Sequence, residues 1–489
     1  MSRAACLPLA LALCAPLLAA PASAQAPAAS AAAGASARSP ALVEAVDALA
    51  RTVAHYGGQV GVAIVDVDSG EVLAAHDEHR PLNPASNAKL FTAAAALAKL
   101  GPGHRFETAL YGQVKGDRVG ALVLRGHGDP SLATRDLWDM AHDLREAGVR
   151  RVDGDILVDQ RFFDDNYVPP AFEQQPNEWA YFRAPVCATS LDENTVTMTV
   201  RPGAPGAAAG VSFDPPGFVD VDGTVRTGTD GHAQNVTLEL AGAGMRLTAK
   251  VGGAIPASAR PVHFVRRVEN PALLAGYALK ALLVAQGVAV AGEVKTGGES
   301  AHGALVVHRS APLGVLVGEM GKQSDNFYAE TIFKTLGAER KGRPGKSEAG
   351  AEIVTQYLGE IAALDEGTVI KNGSGLFDAN RVTASTTARL LRAAYRDPAT
   401  SAEMVSQLAI GGVDGTLHGR FRAHKADRRV RAKTGTLESV AALSGYVLGT
   451  TGHGPVAFSI FVNGVAGKVS GARAAIDKCV EAIAKATAR

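Results

Sequence analysis

Three short motifs occur along this chain in one order: Ser86-Asn87-Ala88-Lys89, then Ser324-Asp325-Asn326, then Lys433-Thr434-Gly435-Thr436. Together they supply a serine nucleophile, a lysine base, a second hydroxyl, an amide and a cationic strand beside an oxyanion pocket. That is an inventory for covalent catalysis by serine. No single motif decides this; the set and its order do. Such a site needs the third motif on an edge strand facing the serine, so the two ends of the chain must share one domain.

Each motif has a plainer reading. Ser86 and Lys89 lie three residues apart and share a helix face, which an N-terminal helix turn with a surface lysine would also give. A serine hydroxyl is a weak nucleophile and needs a nearby base, and a lysine serves only if burial or neighbouring cations lower its pKa. Here Lys89 opens an alanine-rich, apolar helix, Phe91–Leu100, and a buried lysine is unusual without a role. Ser324 can pass a proton between a lysine and a leaving nitrogen, and the Asn326 amide both donates and accepts. The same residue types cap helices, and a cap before Phe327–Leu336 is compatible with catalysis. Lys-Thr-Gly occurs twice. Lys295-Thr296-Gly297 precedes the Ser324 motif and enters a Gly-Gly turn, so it reads as a decoy. Lys433-Thr434-Gly435 follows that motif and precedes a good strand. Gly435 lets a substrate backbone approach, and the N–H of Thr436 joins that of Ser86 as an oxyanion hole.

Other candidates fail. No His-Glu-x-x-His occurs; His76-Asp77-Glu78-His79 sits in a polar loop and reads as solvated charge. Gly373-Ser374-Gly375 is not a Gly-x-Ser-x-Gly elbow, and no phosphate-binding Gly-x-x-x-x-Gly-Lys appears. The expected chemistry uses neither metal nor cofactor.

With 489 residues, 47% of them hydrophobic, the chain can bury a sizeable core and form two or three domains. A net charge of +1 without a long basic block, and 5% aromatic content, argue against nucleic-acid binding. Arg3, the apolar run Leu7–Ala20 and Ala22-Ser23-Ala24 read as a signal peptide cleaved after Ala24, making the expected location periplasmic. The apolar run is too short for a span, and Leu13 is bulky for a lipoprotein box at Cys14, so no stable membrane anchor is expected. Cys6 and Cys14 leave with the signal. Cys187 and Cys479 remain, and read as buried thiols rather than a disulfide.

Residues 25–39 read as a flexible leader rich in Ala, Ser and Pro. Helical spacing starts at Pro40 (Leu42, Val43, Val46, Leu49, Val53), followed by strands at Gln59–Asp66 and Glu71–Ala75. Residues 101–265 read as a β-rich insertion of short strands and turns. Helices return at Pro271–Gln286, Leu313–Met320, Phe327–Leu336, Ser347–Ala363 and Thr386–Tyr395. Strands at Val440–Leu448 and Val456–Asn463 and a helix at Ala472–Ala486 close the chain. The expected fold is α/β (α+β), with segments 40–100 and 266–489 forming one domain around the insertion.

At this point the sequence resembles the class C low-molecular-mass penicillin-binding proteins, the S13 D-alanyl-D-alanine carboxypeptidase/endopeptidase family. The carrying segments are Asn83-Pro-Ala-Ser-Asn-Ala-Lys-Leu-Phe91, Gly126-His-Gly-Asp-Pro-Ser131, Lys322-Gln-Ser-Asp-Asn-Phe-Tyr-Ala-Glu330, Gly412-Val-Asp-Gly-Thr-Leu417, Lys433-Thr-Gly-Thr-Leu437 and Leu443-Ser-Gly-Tyr446. The long gap between Ser86 and Ser324 also resembles this family, whose β-lactamase/transpeptidase-like domain is interrupted by two inserted domains. The resemblance implies that Ser86 is acylated with Lys89 as its base, that Ser324 and Lys433 relay protons, and that Asn326 positions the peptide. It also implies that Lys433, Thr434 and Thr436 hold the terminal D-alanine carboxylate. Asp159 and Phe163 resemble insertion residues lining the far end of the substrate pocket. One departure stands out: where the family often carries an arginine after its Asp-Gly-Ser-Gly-Leu-Ser run, this chain has Asp378. With Asp159 nearby, two carboxylates would favour a cationic end of the stem peptide.

The leading expectation is an exported serine DD-peptidase whose partners are peptidoglycan stem peptides, with β-lactam antibiotics as inhibitors. A β-lactamase- or esterase-like hydrolase would use the same site but needs an extra base for deacylating water, and no motif clearly supplies one. A catalytically silent wall-binding protein would be free to lose Ser86, Lys89, Ser324, Asn326 and Lys433, which are all present.

Overall fold

In a computed structural model of the protein, residues 39–174, 179–231, 233–243, 246–298, 302–424, 428–450 and 452–487 are described. The expected signal peptide and nearly all of the leader lie outside them.

The two ends of the chain meet in one antiparallel sheet. Its strands, in spatial order, are Val72–His76, Gln59–Asp66, Val456–Asn463, Val440–Val447, Val430–Leu437 and Ala409–Ile410. The strand Gln59–Asp66 pairs with Val456–Asn463 from Gln59 opposite Asn463 to Asp66 opposite Val456. Because side chains alternate across a strand, each central strand feeds two cores. Val60, Val62 and Ile64 face one layer with Phe458, Ile460 and Val462, under the helices Pro40–His55 and Val469–Ala486. Ala63, Val65, Ala442, Tyr446 and Phe461 face the other, under the helices Ala88–Leu100, Leu313–Lys322, Asn326–Arg340, Ser347–Glu360 and Ala384–Arg396. Each fully buried Val, Leu, Ile or Phe here contributes roughly 1.5–3 kcal/mol. Pro40 opens the first helix, where its missing N–H is no loss, and Gly57 turns the chain after it at φ +79°.

A second body lies between. Its main sheet has the strands Val294–Thr296, Ile156–Asp159, Leu122–Gly126, Glu107–Tyr111 and Ala304–Arg309 in that order. The helices Thr134–Glu146 and Leu274–Ala285 pack on it, sharing one core through Leu137, Leu144, Ile156, Val158, Leu279 and Leu283. Smaller sheets built from strands between Thr195 and Arg267 enclose a further core with Met198, Val200, Val225, Val251 and Ile255.

Two expectations need correction. The sequence pattern returns the chain to the first body at Arg266, but the helix Leu274–Ala285 and the strand Ala304–Arg309 both belong to the second body. A helix apolar on most of its faces packs against either core equally well, so its periodicity does not say which. At Gly276 an added Cβ would meet Val158 and Val294 side chains at 2.5 and 2.6 Å, which fixes this helix on the second sheet. The segment read as β-rich, made of short strands and turns, also contains the helix Thr134–Glu146, whose buried positions Leu137, Met140, Ala141 and Leu144 follow helical spacing. Its first turn is closed by the Asp136 carboxylate, which accepts from the N–H of Ala133 at 2.9 Å.

Candidate active site

Ser86 sits on a tight 3₁₀ turn, Ala85–Asn87, rather than inside the helix that follows. Ala85 holds φ at +46°, a region L side chains seldom adopt, and several contacts keep it there. The Asn83 Oδ1 accepts from the Ala85 N–H at 2.8 Å, and Asn83 is tied to the sheet by two hydrogen bonds with Asn463 at 2.8 and 3.0 Å. Two glycines let other backbones close in. A Cβ at Gly375 would lie 1.8 Å from the Ala85 carbonyl oxygen, and one at Gly435 would lie 2.8 Å from that of Pro84. The Asn87 Nδ2 donates to the Lys433 carbonyl at 3.2 Å. The serine turn is therefore seated directly on the strand Val430–Leu437.

Lys89 begins the next helix and has no exposed surface. Its Nζ donates to Ser86 Oγ at 3.1 Å, to Asn326 Oδ1 at 2.6 Å and to the Ser374 carbonyl at 2.8 Å. Those three acceptors use all three donors of an ammonium. Burial brings its pKa down to about 7, against the opposing pull of Asp325 and Glu330. Lys433 is equally buried. Its Nζ lies 2.7 Å from Ser324 Oγ and 2.9 Å from the Thr434 carbonyl. Burial, then the neighbouring Lys89, hold its pKa well below the usual lysine range. Ser324 carries φ +64°. The geometry thus joins two chains of contact, Ser86–Lys89–Asn326 and Ser324–Lys433, around one small site. A near-neutral amine beside a serine hydroxyl can act as a general base at ordinary pH.

The expected decoy lies elsewhere. Lys295 is exposed on the second sheet, paired with Asp155 at 2.5 Å. Thr434 Oγ1 donates to Thr416 Oγ1 at 2.8 Å, and Arg473 donates to Thr436 Oγ1 at 3.1 Å. No sequence signal singled out Arg473. Glu330 was also missed, although it lies four residues after Asn326 and so on the same helix face. Its buried carboxylate accepts from the N–H groups of Gly373 at 3.1 Å and Ser374 at 2.7 Å. That fixes the Ser374 carbonyl which receives Lys89. Ser374, set aside as no elbow, is thus a backbone neighbour of the site.

Asp159 and Phe163, expected at the far end of the substrate pocket, line two cavities outside the serine–lysine cluster. Asp159 is buried and already bound by Arg125 at 2.7 Å and Arg161 at 2.9 Å. Phe163 is 2% exposed, packed among Phe162, Val186 and Phe327. Asp378 likewise is paired with Arg381 at 2.6 Å and accepts from Asn83 Nδ2 at 3.0 Å. Neither aspartate offers an unmatched negative charge, which removes the basis for expecting a cationic substrate end. Cys187 and Cys479 are buried and unpaired.

The serine–lysine cluster on a sheet covered by helices on both faces defines an active-site serine enzyme of the penicillin-binding and β-lactamase fold class. The sequence of residues 42–485 matches the model of the D-Ala-D-Ala carboxypeptidase 3 (S13) family, and the chain belongs to that family. It is 36% identical over 444 residues to the D-alanyl-D-alanine carboxypeptidase of Actinomadura sp. (strain R39), covering 87% of this chain and 81% of that protein. It is 26% identical over 421 residues to D-alanyl-D-alanine carboxypeptidase DacB of Haemophilus influenzae, covering 83% of this chain and 86% of that one. The crystal structure of penicillin binding protein 4 from Haemophilus influenzae has the same fold, with TM-score 0.74 and 24% identity over 91% of this chain and 99% of that chain. The protein is a serine-type D-Ala-D-Ala peptidase of the S13 family.

Proposed function

We propose that this protein is an exported, periplasmic DD-peptidase that cleaves peptidoglycan stem peptides through an acyl-enzyme on Ser86, and that penicillins acylate the same serine. The observation that carries this is the fully buried Lys89, held 3.1 Å from Ser86 Oγ with its pKa near 7. In the proposed cycle Lys89, as the free amine, takes the Ser86 proton while Oγ attacks the carbonyl of the terminal D-Ala–D-Ala bond. The N–H groups of Ser86 and Thr436 face the oxyanion that forms. A proton then passes through Ser324 and Lys433 to the leaving nitrogen, the C–N bond breaks, and D-alanine or a cross-bridge amine departs. Water releases the acyl group. Asn326 positions the peptide, and Thr434, Gly435 and Thr436 receive its terminal carboxylate, with Arg473 adding a cation beside Thr436. Both carboxypeptidase and endopeptidase products arise from this one acyl-enzyme. No helix among the described residues is long and apolar enough to cross a membrane.

The direct test incubates the mature protein with a labelled penicillin and with a peptide ending in D-Ala-D-Ala. An adduct mapped by mass spectrometry to Ser86, with D-alanine released from the peptide, supports the reading. An adduct on Ser324 or Ser374 rejects it.

The pH dependence is specific. Below about pH 7 Lys89 gains a proton and cannot accept one from Ser86, so the acylation rate should fall about tenfold per pH unit on the acid side. A rate that stays flat from pH 5.5 to 7 would reject Lys89 as the base. A milder expectation concerns Asp378. Because Arg381 already neutralises it, Asp378→Asn should leave the preference between stem peptides with free and acetylated side-chain amines unchanged within about twofold, roughly 0.4 kcal/mol. A larger change in the kcat/KM ratio would put Asp378 back into recognition.

A further inference from the structure

The three hydrogen bonds of Lys89 are not equivalent. Asn326 Oδ1 and the Ser374 carbonyl, 2.6 and 2.8 Å from Nζ, can only accept, whereas Ser86 Oγ, at 3.1 Å, can also donate. An ammonium meets all three with N–H groups. Once it loses a proton, two N–H groups and one lone pair remain. The two obligatory acceptors claim the N–H groups, so the lone pair is left facing the Ser86 hydroxyl. The direction of the base is therefore set by two oxygens outside the serine turn, and each oxygen is itself aimed by partners farther out.

Asn326 cannot turn its amide over, because its Nδ2 donates to the Phe182 carbonyl at 2.9 Å. The Ser374 carbonyl belongs to the loop Gly373-Ser374-Gly375, which Glu330 holds by its backbone. Glu330 Oε2 accepts from the Gly373 N–H at 3.1 Å and Oε1 from the Ser374 N–H at 2.7 Å. A carboxylate accepts on both oxygens and so matches two converging N–H groups. Glu330 is 1% exposed, which keeps solvent from competing for them. Thr92 Oγ1 donates to the Gly373 carbonyl at 2.8 Å. The Gly375 N–H, in the same peptide plane as the Ser374 carbonyl, donates to Asn372 Oδ1 at 2.9 Å. Glu330 stands one helical turn after Asn326, so one face of one helix governs both oxygens around Lys89.

We propose that Glu330 is a positioning residue for acylation: by clamping the N–H groups of Gly373 and Ser374 it aims the Ser374 carbonyl at Lys89 and so turns the lone pair of the free amine onto the Ser86 hydroxyl. This rests on the reading of Ser86 as the acylated residue and Lys89 as its base. Freed from Glu330, the loop no longer presents its carbonyl, the amine rotates, and proton transfer from Ser86 loses its geometry. The strand Val430–Leu437 makes no contact with Glu330 through these bonds, so the loss falls on the rate of acylation rather than on binding. A second consequence concerns pH. The charged groups around Lys89 are Asp325, Glu330 and Lys433. Loss of the Glu330 charge and loss of the carbonyl acceptor both disfavour the ammonium, so the acid-side midpoint, about 7 in wild type, moves to lower pH. A substitution that merely loosened the core and let water reach Lys89 would move it up, towards the usual lysine range.

The test measures acylation of the full chain by labelled penicillin, at several penicillin concentrations and from about pH 5.5 to 8.5, for wild type, Glu330→Gln and Glu330→Asp. Glutamine keeps the volume but offers one acceptor and one donor to two N–H groups. Aspartate keeps the charge but is a methylene too short to hold both. Each should acylate at least about tenfold more slowly at saturation, with the half-saturating concentration within about threefold of wild type. The glutamine midpoint should lie below that of wild type. Should the glutamine variant fail to melt cooperatively, the aspartate variant decides by rate alone. A folded glutamine variant within about twofold of the wild-type rate, a glutamine midpoint unchanged or raised, or a folded aspartate variant at the wild-type rate overturns the proposal while leaving the Ser86 reading intact. A wild type that forms no Ser86 adduct at any pH overturns both.

Discussion

Replacing Ser86 by alanine is expected to abolish penicillin labelling and D-alanine release while leaving the fold intact. The size of the loss follows from the role: removing the atom that forms the covalent bond costs several orders of magnitude, on the order of 10³ or more. The fold should survive because Ser86 Oγ has one close partner, Lys89 Nζ at 3.1 Å, and that ammonium keeps Asn326 Oδ1 and the Ser374 carbonyl. The turn itself is held by Asn83, Asn463, Gly375 and Gly435, none of which contacts the hydroxyl for its own placement. The measurement is adduct mapping together with a thermal melt. Labelling that persists on the folded alanine variant, or a label found on Ser324 or Ser374 in wild type, would remove Ser86 from the mechanism.

The three motifs were legible because covalent chemistry restricts residue type at each position, and their order along the chain restricted which lysine was meant. The strands Gln59–Asp66 and Val456–Asn463 were legible as short, β-branched apolar runs, which burial on both faces of a strand produces. Glu330 and Ser374 were not legible. They act on Lys89 through a backbone carbonyl, and a carbonyl leaves no signature in residue type. Asp159 and Phe163 line separate cavities, one with Arg125, Arg161 and Arg343 and the other with Gln160, Tyr167 and Thr296, and residue type alone does not place either cavity relative to Ser86. The point of return from the insertion was misplaced because the helix Leu274–Ala285 is apolar on several faces, so its pattern says that it is buried and not against what.

Exchanging lysine at the two Lys-Thr-Gly copies should separate them by a similarly large factor. Lys433 has no exposed surface, and its Nζ lies 2.7 Å from Ser324 Oγ. Lys433→Ala removes the amine of the proposed relay and leaves Ser324 without that partner, so acylation should fall by about 10³ or more. The alanine also leaves a cavity under the strand. Lys433→Met, which fills most of that volume without a titratable group, should restore stability and not rate, and that divergence distinguishes chemistry from packing. Lys295 sits on the second sheet with its ammonium exposed and paired to Asp155 across the strand pair Val294–Thr296 and Ile156–Val158. An exposed pair of this kind contributes little, so Lys295→Ala should acylate at the wild-type rate within about twofold and melt within a few degrees of it. The four proteins are compared in one assay, labelled penicillin at a single concentration, with melts recorded on the same samples. A Lys295 variant that loses acylation while the Lys433 variants keep it would reverse the assignment of the third motif, and with it the placement of Thr434, Gly435 and Thr436 at the carboxylate of the substrate.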